Sequence, residues 1–232
     1  MSAELVLMLL ADARLPAGGY TQSGSLEPAL AAGMRTDDVA AFLQARLATV
    51  TEQAAAAAVL VVRALRLEEP TSVIARTWME WASRTPSAAV RANEETLGRG
   101  YQRLLERLWG GCRALRDAGK QVAGYFETEQ PRPPRPIVLG AIGAAAKLSA
   151  RQTARLVGYD DVQTVLSACL KLAPLDPLQA SDWALGSFAA VEEMAERASQ
   201  VMEPETMPAL AAPQIDGWAQ AHAVARERLF SA

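Results

Sequence analysis

Apolar side chains that return every third or fourth position constrain this chain more than any other feature, because that period fits one face of an α-helix and no face of a strand. Val39, Phe42, Leu43, Leu47 and Val50 lie on one such stripe, and Ile74, Trp78 and Trp81 on a second. Val90, Leu97, Tyr101, Leu104 and Leu108 make a third. Alanine is abundant and β-branched residues are sparse, which lowers the cost of helix throughout. Pro70, Pro86, Gly110, Gly111, Pro174 and Pro177 stand at the breaks between the stripes, where proline and glycine interrupt helices. No stretch alternates long enough to make a strand, and no segment repeats. The fold class expected is all-α, a single-domain helical bundle of about nine or ten helices.

Capping residues place the boundaries. A short apolar helix spans residues 3 to 11. Ser25 is placed to cap the next helix, with Pro28 in its first turn and Gly33 at its end. Thr36 opens a long helix running through the alanines to about Leu67. Thr71, Ser87 and Ser149 open others, and a further piece covers Arg113 to Phe126. Residues 178 to 201 read as one helix with Leu178, Leu185, Phe188, Ala195 and Met202 on one face, and Asp216 as the cap of a last helix that reaches the chain end. The proline-rich stretch Glu127 to Pro136 reads as a loop within one domain covering 1–232, the alternative being a linker between two. Gly140 and Gly143 sit where a neighbouring helix can approach closely.

Half of the 232 residues are hydrophobic and 21% are charged, a balance that excludes wholesale disorder. The net charge of −3 provides no basic field for nucleic acid or an anionic membrane. The longest uncharged apolar run, Ala54 to Val62, is about half of the roughly 20 residues that span a bilayer. The N-terminal stretch carries Glu4 and Asp12 and no basic region, unlike a secretory signal. Cys112 and Cys169 are far apart and without a CxxC partner, which fits a reducing cytoplasm and argues against a disulfide framework or thiolate metal site. The localisation expected is cytoplasmic.

The chain is poor in catalytic and metal-binding residues. His222 is its single histidine, with no acidic cluster beside it in sequence to complete a metal site. No Gly-x-Ser-x-Gly elbow accompanies it. Gly119-Lys120 lacks the other elements of a phosphate-binding P-loop. Glu94 and Glu95 point about 100° apart on a helix and form no close acid–base pair. Glu94 nevertheless falls between Val90 and Leu97 on an apolar face, so it needs a partner or exposure. Trp78 and Trp81 read as core.

Leu15-Pro16-Ala17-Gly18-Gly19-Tyr20-Thr21-Gln22-Ser23-Gly24-Ser25-Leu26-Glu27 cannot be ordinary helix, and reads as a shaped, hydrogen-bonding turn region. This stretch resembles one in the urease accessory protein UreF family, which reads roughly Leu-Pro-x-Gly-Gly/Ala-aromatic-x-x-Ser-x-Gly-Leu-Glu. Four further segments match that family in order: Glu94 to Gly98, Pro136 to Gly140, Lys171 to Gln179, and His222 through Arg228-Leu229-Phe230-Ser231. Ser25 and Asp176 stand where the family has glycine, Lys171 where it has arginine, and Ala223 where it has glutamate. Lysine keeps the charge but loses the two-pronged geometry of arginine, and Asp176 would be strained if its turn requires positive φ.

The resemblance implies a non-catalytic maturation factor for the nickel enzyme urease. It would bridge the accessory protein UreD, also called UreH, and the GTPase UreG on urease apoprotein. No cofactor would be bound directly; nickel and GTP are implied through partners, and a homodimer is a further possibility. Two partner surfaces are expected. One comprises Gly18, Gly19, Tyr20, Ser23 and Glu27, facing UreG. The other comprises Arg228, Leu229 and Phe230 near His222, docking on UreD, unless Leu229 and Phe230 only cover the chain's own core. Glu94 and Lys171 are further interface candidates. The runner-up readings are a helical enzyme with an anion pocket at Gly18–Ser25 and His222 as acid–base group, and a helical adaptor of unrelated role.

Overall fold

The computed structural model describes residues 2–12, 15–126 and 131–230. Among them are twelve α-helices and three short 3-10 turns, and no strand. The helices are α1 (Ala3–Leu10), α2 (Leu26–Ala31), α3 (Val39–Leu47), α4 (Val50–Ala64), α5 (Pro70–Ser83), α6 (Ala88–Trp109), α7 (Arg113–Phe126), α8 (Arg135–Ala145), α9 (Ala150–Leu172), α10 (Pro177–Gly186), α11 (Phe188–Ser199) and α12 (Pro213–Ala223).

Helix α4 is the axis of the bundle. All of its residues except Val50 and Arg63 are buried, because α5, α8, α9 and α11 surround it. The stretch 36–64 is apolar and long enough to cross a membrane by composition, but 78% of its most apolar window is buried inside the protein. Small side chains let the helices close on this axis. A Cβ on Gly140 would lie 2.5 Å from the Ala58 carbonyl oxygen, and one on Gly143 would lie 2.5 Å from Thr153 Oγ1. Helix α8 therefore meets α4 backbone to backbone.

The proline segment does not divide the core. Residues 127–130 lie outside the described residues, but Pro133 is packed against Gly98 of α6 and α8 begins at Arg135. The hydrophobic core runs from Leu43 and Trp78 before the segment to Ile142, Leu166 and Met194 after it. Trp78 and Trp81 are both core residues.

Of the expected caps, those at Ser87 and Ser149 form, whereas Ser25, Thr36, Thr71 and Asp216 do not cap their helices. Ser87 Oγ accepts the Val90 N–H, and Ser149 forms a capping box with Gln152. Asp176 has φ −65° and accepts the Leu178 N–H, so it caps α10 and carries none of the strain expected of a positive-φ turn. Ser25 makes no capping hydrogen bond; instead its φ is +67°, the left-handed region that favours glycine. That backbone would suit the glycine that the resemblance leads one to expect here. Thr36 starts a 3-10 turn without a side-chain cap, and Asp216 lies inside the first turn of α12, which starts at Pro213.

Two helices read as continuous are broken. The segment after Thr36 divides at Ala48–Thr49, where no proline or glycine stands and Thr49 takes φ −134° and ψ −99°. Residues 178–201 divide at Ser187, whose Oγ bonds back to the Trp183 carbonyl at 2.8 Å. The second break changes the expected face. Leu178, Leu185, Phe188 and Met202 are exposed; of the expected face only Ala195 is buried, and the core takes Ala180, Ala184, Val191, Met194 and Ala198 beside it. In α6 the stripe likewise turns toward Leu105, leaving Leu108 exposed.

Candidate functional site

The glycine loop is locked rather than loose. Gly18 and Gly24 have φ +94° and +58°, and the Thr21 hydroxyl donates to the Gly18 carbonyl at 2.8 Å. The Gly24 carbonyl accepts from Arg46 Nη1 at 2.7 Å. Arg46, on α3, forks onto Asp161 of α9 at 2.9 and 2.6 Å, and Thr51 Oγ1 donates to the same carboxylate at 2.8 Å. Burial alone would raise the Asp161 pKa, but the Arg46 guanidinium and these hydrogen bonds hold it below the usual carboxylate range. One buried ion pair thus ties the loop to three helices.

A second buried network lies beside it. Glu94 of α6 accepts from Arg135 Nε at 3.0 Å and Nη2 at 3.1 Å, and Arg135 Nη1 reaches Asp160 of α9 at 2.7 Å. Tyr101 Oη donates to Asp160 at 3.1 Å, and burial pushes the phenol well above its ordinary pKa. Glu94 was expected to need a partner, and Arg135 at the start of α8 is that partner. The sequence reading missed Arg46, Arg135, Asp160 and Asp161. Their signal was present: Arg46 lies four residues after Phe42 on an apolar stripe, and Asp160-Asp161 interrupts the middle of a helix.

Glu27 organises a third cluster. The helix that ends in α12 stops at Ala223 rather than continuing to the chain end, and the tail beyond folds back onto α2. Leu229 N–H donates to Glu27 Oε1 at 2.6 Å and Phe230 N–H to Glu27 Oε2 at 3.0 Å. His222 Nε2 lies 2.9 Å from Oε2. Burial works to raise the Glu27 pKa, but the two backbone donors and His222 together lower it. Lys171 Nζ donates to the Tyr20 carbonyl at 3.0 Å and sits 5.1 Å from the centre of the Phe230 ring.

Six sequence-selected residues are therefore neighbours across the fold: Tyr20, Glu27, Lys171, His222, Leu229 and Phe230. Phe230 is buried and Leu229 is 64% exposed, so of this pair only Phe230 covers the chain's own core. Tyr20 is also exposed, whereas Ser23 is fully buried and faces no outside surface. Gly18 and Gly19 flank the start of the 3-10 turn. Glu94 belongs to the second network, and Arg228 lines a cavity with it. Ser231 lies outside the described residues.

That cavity, about 280 Å³, lies between the loop, α4, α6 and α12 and is lined by Gly24, Arg46, Gln53, Glu94, Arg135 and His222 among others. Arg46 and Arg135 are met by carboxylates, and His222 faces Glu27. Among the described residues no group of three or more His, Cys, Asp or Glu side chains is arranged to hold a metal ion.

These features define an all-helical protein whose buried ionic side chains join helices to one loop and one tail. The UreF family model matches residues 34–187. Urease accessory protein UreF of Mycobacterium sp. strain JLS is 31% identical over 234 residues, covering all of both chains. The protein of the same name from Mycobacterium tuberculosis H37Ra is 31% identical, covering 96% of this chain and 95% of its own. That from Mycolicibacterium vanbaalenii is 30% identical over the whole of both chains. The chain belongs to the UreF family.

Proposed function

We propose that this protein is a non-catalytic scaffold of urease maturation, which joins UreD (UreH) to the GTPase UreG on urease apoprotein in the cytoplasm while the nickel centre is assembled. Family membership over the full chain supports the urease part of this reading. The observation that carries the scaffold part is the fate of the polar residues: Glu27, Glu94, Asp161 and His222 are all engaged in holding the fold. Each of these groups has a partner within the fold, which leaves the loop and the tail as defined shapes for another protein to recognise. Nickel and GTP are cargo and substrate of the assembly, handled by the partners.

Two outward surfaces suit partner proteins. The tail presents Leu229, and the glycine loop presents Tyr20; aromatic and large aliphatic anchors of this kind concentrate binding energy. Helices α1 and α10, which both pack on α9, leave Leu5, Met8, Leu178 and Leu185 exposed, an apolar surface suited to a further subunit or a second copy of this chain.

The test is co-expression with UreD and UreG from the same source, followed by affinity capture and size-exclusion chromatography with light scattering. The reading expects a stable complex with UreD, joined by UreG in a nucleotide-dependent manner; the mass of the chain alone reports whether it dimerises. A folded protein that captures neither partner would overturn the reading.

A further inference from the structure

Gln22 and Gln53 are 2% and 4% exposed, and both line the cavity between the loop, α4, α6 and α12. Their neighbours fix which way each amide points. The Thr85 hydroxyl donates to the Trp81 carbonyl at 2.9 Å, so its oxygen is left to accept from Gln53 Nε2 at 3.1 Å. The same nitrogen donates to the Arg84 carbonyl at 3.0 Å. The Thr21 hydroxyl likewise gives its proton to the Gly18 carbonyl and accepts from Gln22 Nε2 at 3.4 Å. Both nitrogens are thereby engaged, while Gln22 Oε1 and Gln53 Oε1 are buried with no hydrogen-bond partner among the described residues.

A buried acceptor without a donor costs stability, and native proteins leave few such groups unanswered. A third acceptor belongs to the same cavity. Asp216, half-buried on α12, lines it, and among the described residues it has no hydrogen bond or ion pair. Arg46 and Arg135, in the same wall, are already paired with Asp161, Glu94 and Asp160. Two amide oxygens and one carboxylate without a cation match the three N–H donors and single charge of a primary ammonium. Trp81, Leu97 and Ile215 give the wall an apolar part. The volume of about 280 Å³ is at the small end of the range for ligand pockets, enough for a short alkyl chain behind the charged head.

We propose that this cavity binds a short primary alkylammonium ion, its head taken by Gln22 Oε1, Gln53 Oε1 and the Asp216 carboxylate and its chain laid against Trp81, Leu97 and Ile215. Such a site would exist whether or not the protein joins UreD to UreG.

The test titrates the full chain with butylammonium chloride, and separately with butyramide and with sodium butyrate at matched ionic strength. The Trp81 indole N–H and the side-chain amide protons of Gln22 and Gln53 are followed by NMR. All three signals should shift saturably with butylammonium, and butyramide should bind at least about tenfold more weakly for want of the charge and one donor. Asp216→Asn keeps the shape and removes the charge, and should weaken butylammonium binding about tenfold or more; Gln53→Leu should do the same. Gln53 also braces the turn at Arg84 and Thr85, so Gln22→Leu takes its place should that variant fail to fold. No saturable shift with butylammonium, the result expected of a cavity that takes only water, would overturn the proposal. Equal binding of butyramide or butyrate would overturn it too, as would unchanged affinity in folded Asp216→Asn and Gln22→Leu variants.

Discussion

Arg135 shows how a single residue can be read only in part from its neighbours in sequence. It follows two prolines and precedes a third, a place that suggests a solvated loop, yet it is 6% exposed and bonded to Glu94 and Asp160. Removing it would leave two carboxylates buried without their cation. Arg135→Ala is expected to cost about 3–5 kcal/mol, read as a fall in the urea midpoint, whereas removing an exposed pair such as Arg35–Asp37 should cost under about 1 kcal/mol. Asp161 makes a complementary prediction in pH. It binds its proton more weakly when folded than when unfolded, so the unfolded chain takes up more protons as the solution is acidified. Its contribution is complete above the unfolded value near 3.8 and fades as pH falls toward the lower folded value. Asp161→Asn should therefore lower stability at neutral pH and flatten the acid limb of the stability–pH curve, measured by denaturant titration from pH 7 to pH 3.

Helices were legible to the degree that their ends are made locally. Ser87 and Ser149 cap as read because a side-chain oxygen meets an N–H three residues on; Asp176 caps in the same local way without having been read so. The break at Thr49 has no such signature, since no proline or glycine marks it and the turn exists to redirect α3 against its neighbours. The outward face of α10 was misread for a related reason: Gly186 and the buried Ser187 rotate α11 relative to α10, so one periodic stripe does not pass through both. Where two helices touch, small residues did declare themselves. Gly140→Ala places a methyl group 2.5 Å from the Ala58 carbonyl and 2.6 Å from Val61 Cβ, and this overpacking should cost about 1–3 kcal/mol despite alanine's better helix propensity. An equal change at Gly119, where the nearest side-chain atom is 3.8 Å away, should be stabilising or neutral; thermal melts of the two variants decide it.

At the scale of the whole molecule, α4 receives α5 from before the proline segment and α8, α9 and α11 from after it. The protein should therefore unfold in one cooperative transition, with near- and far-ultraviolet circular dichroism losing signal together. A fragment ending at residue 126 should remain largely unfolded, because the axis helix would expose most of its buried surface. Two separate transitions, or a folded fragment, would show that the segment divides two domains after all.

The sequence by itself determined the helical class, most of the helix ends, the need of Glu94 for a partner and the family, because each depends on local propensity, on periodicity or on motifs read along the chain. It also selected Glu27, Lys171, His222 and Phe230 as residues of interest while leaving them up to 203 positions apart. Only the tertiary structure decided that they meet, that Arg135 answers Glu94, and that Phe230 turns inward while Leu229 turns out. Such pairings depend on the relative placement of helices, which is set by the packing of many side chains at once, and no local pattern encodes which buried charge lies opposite another.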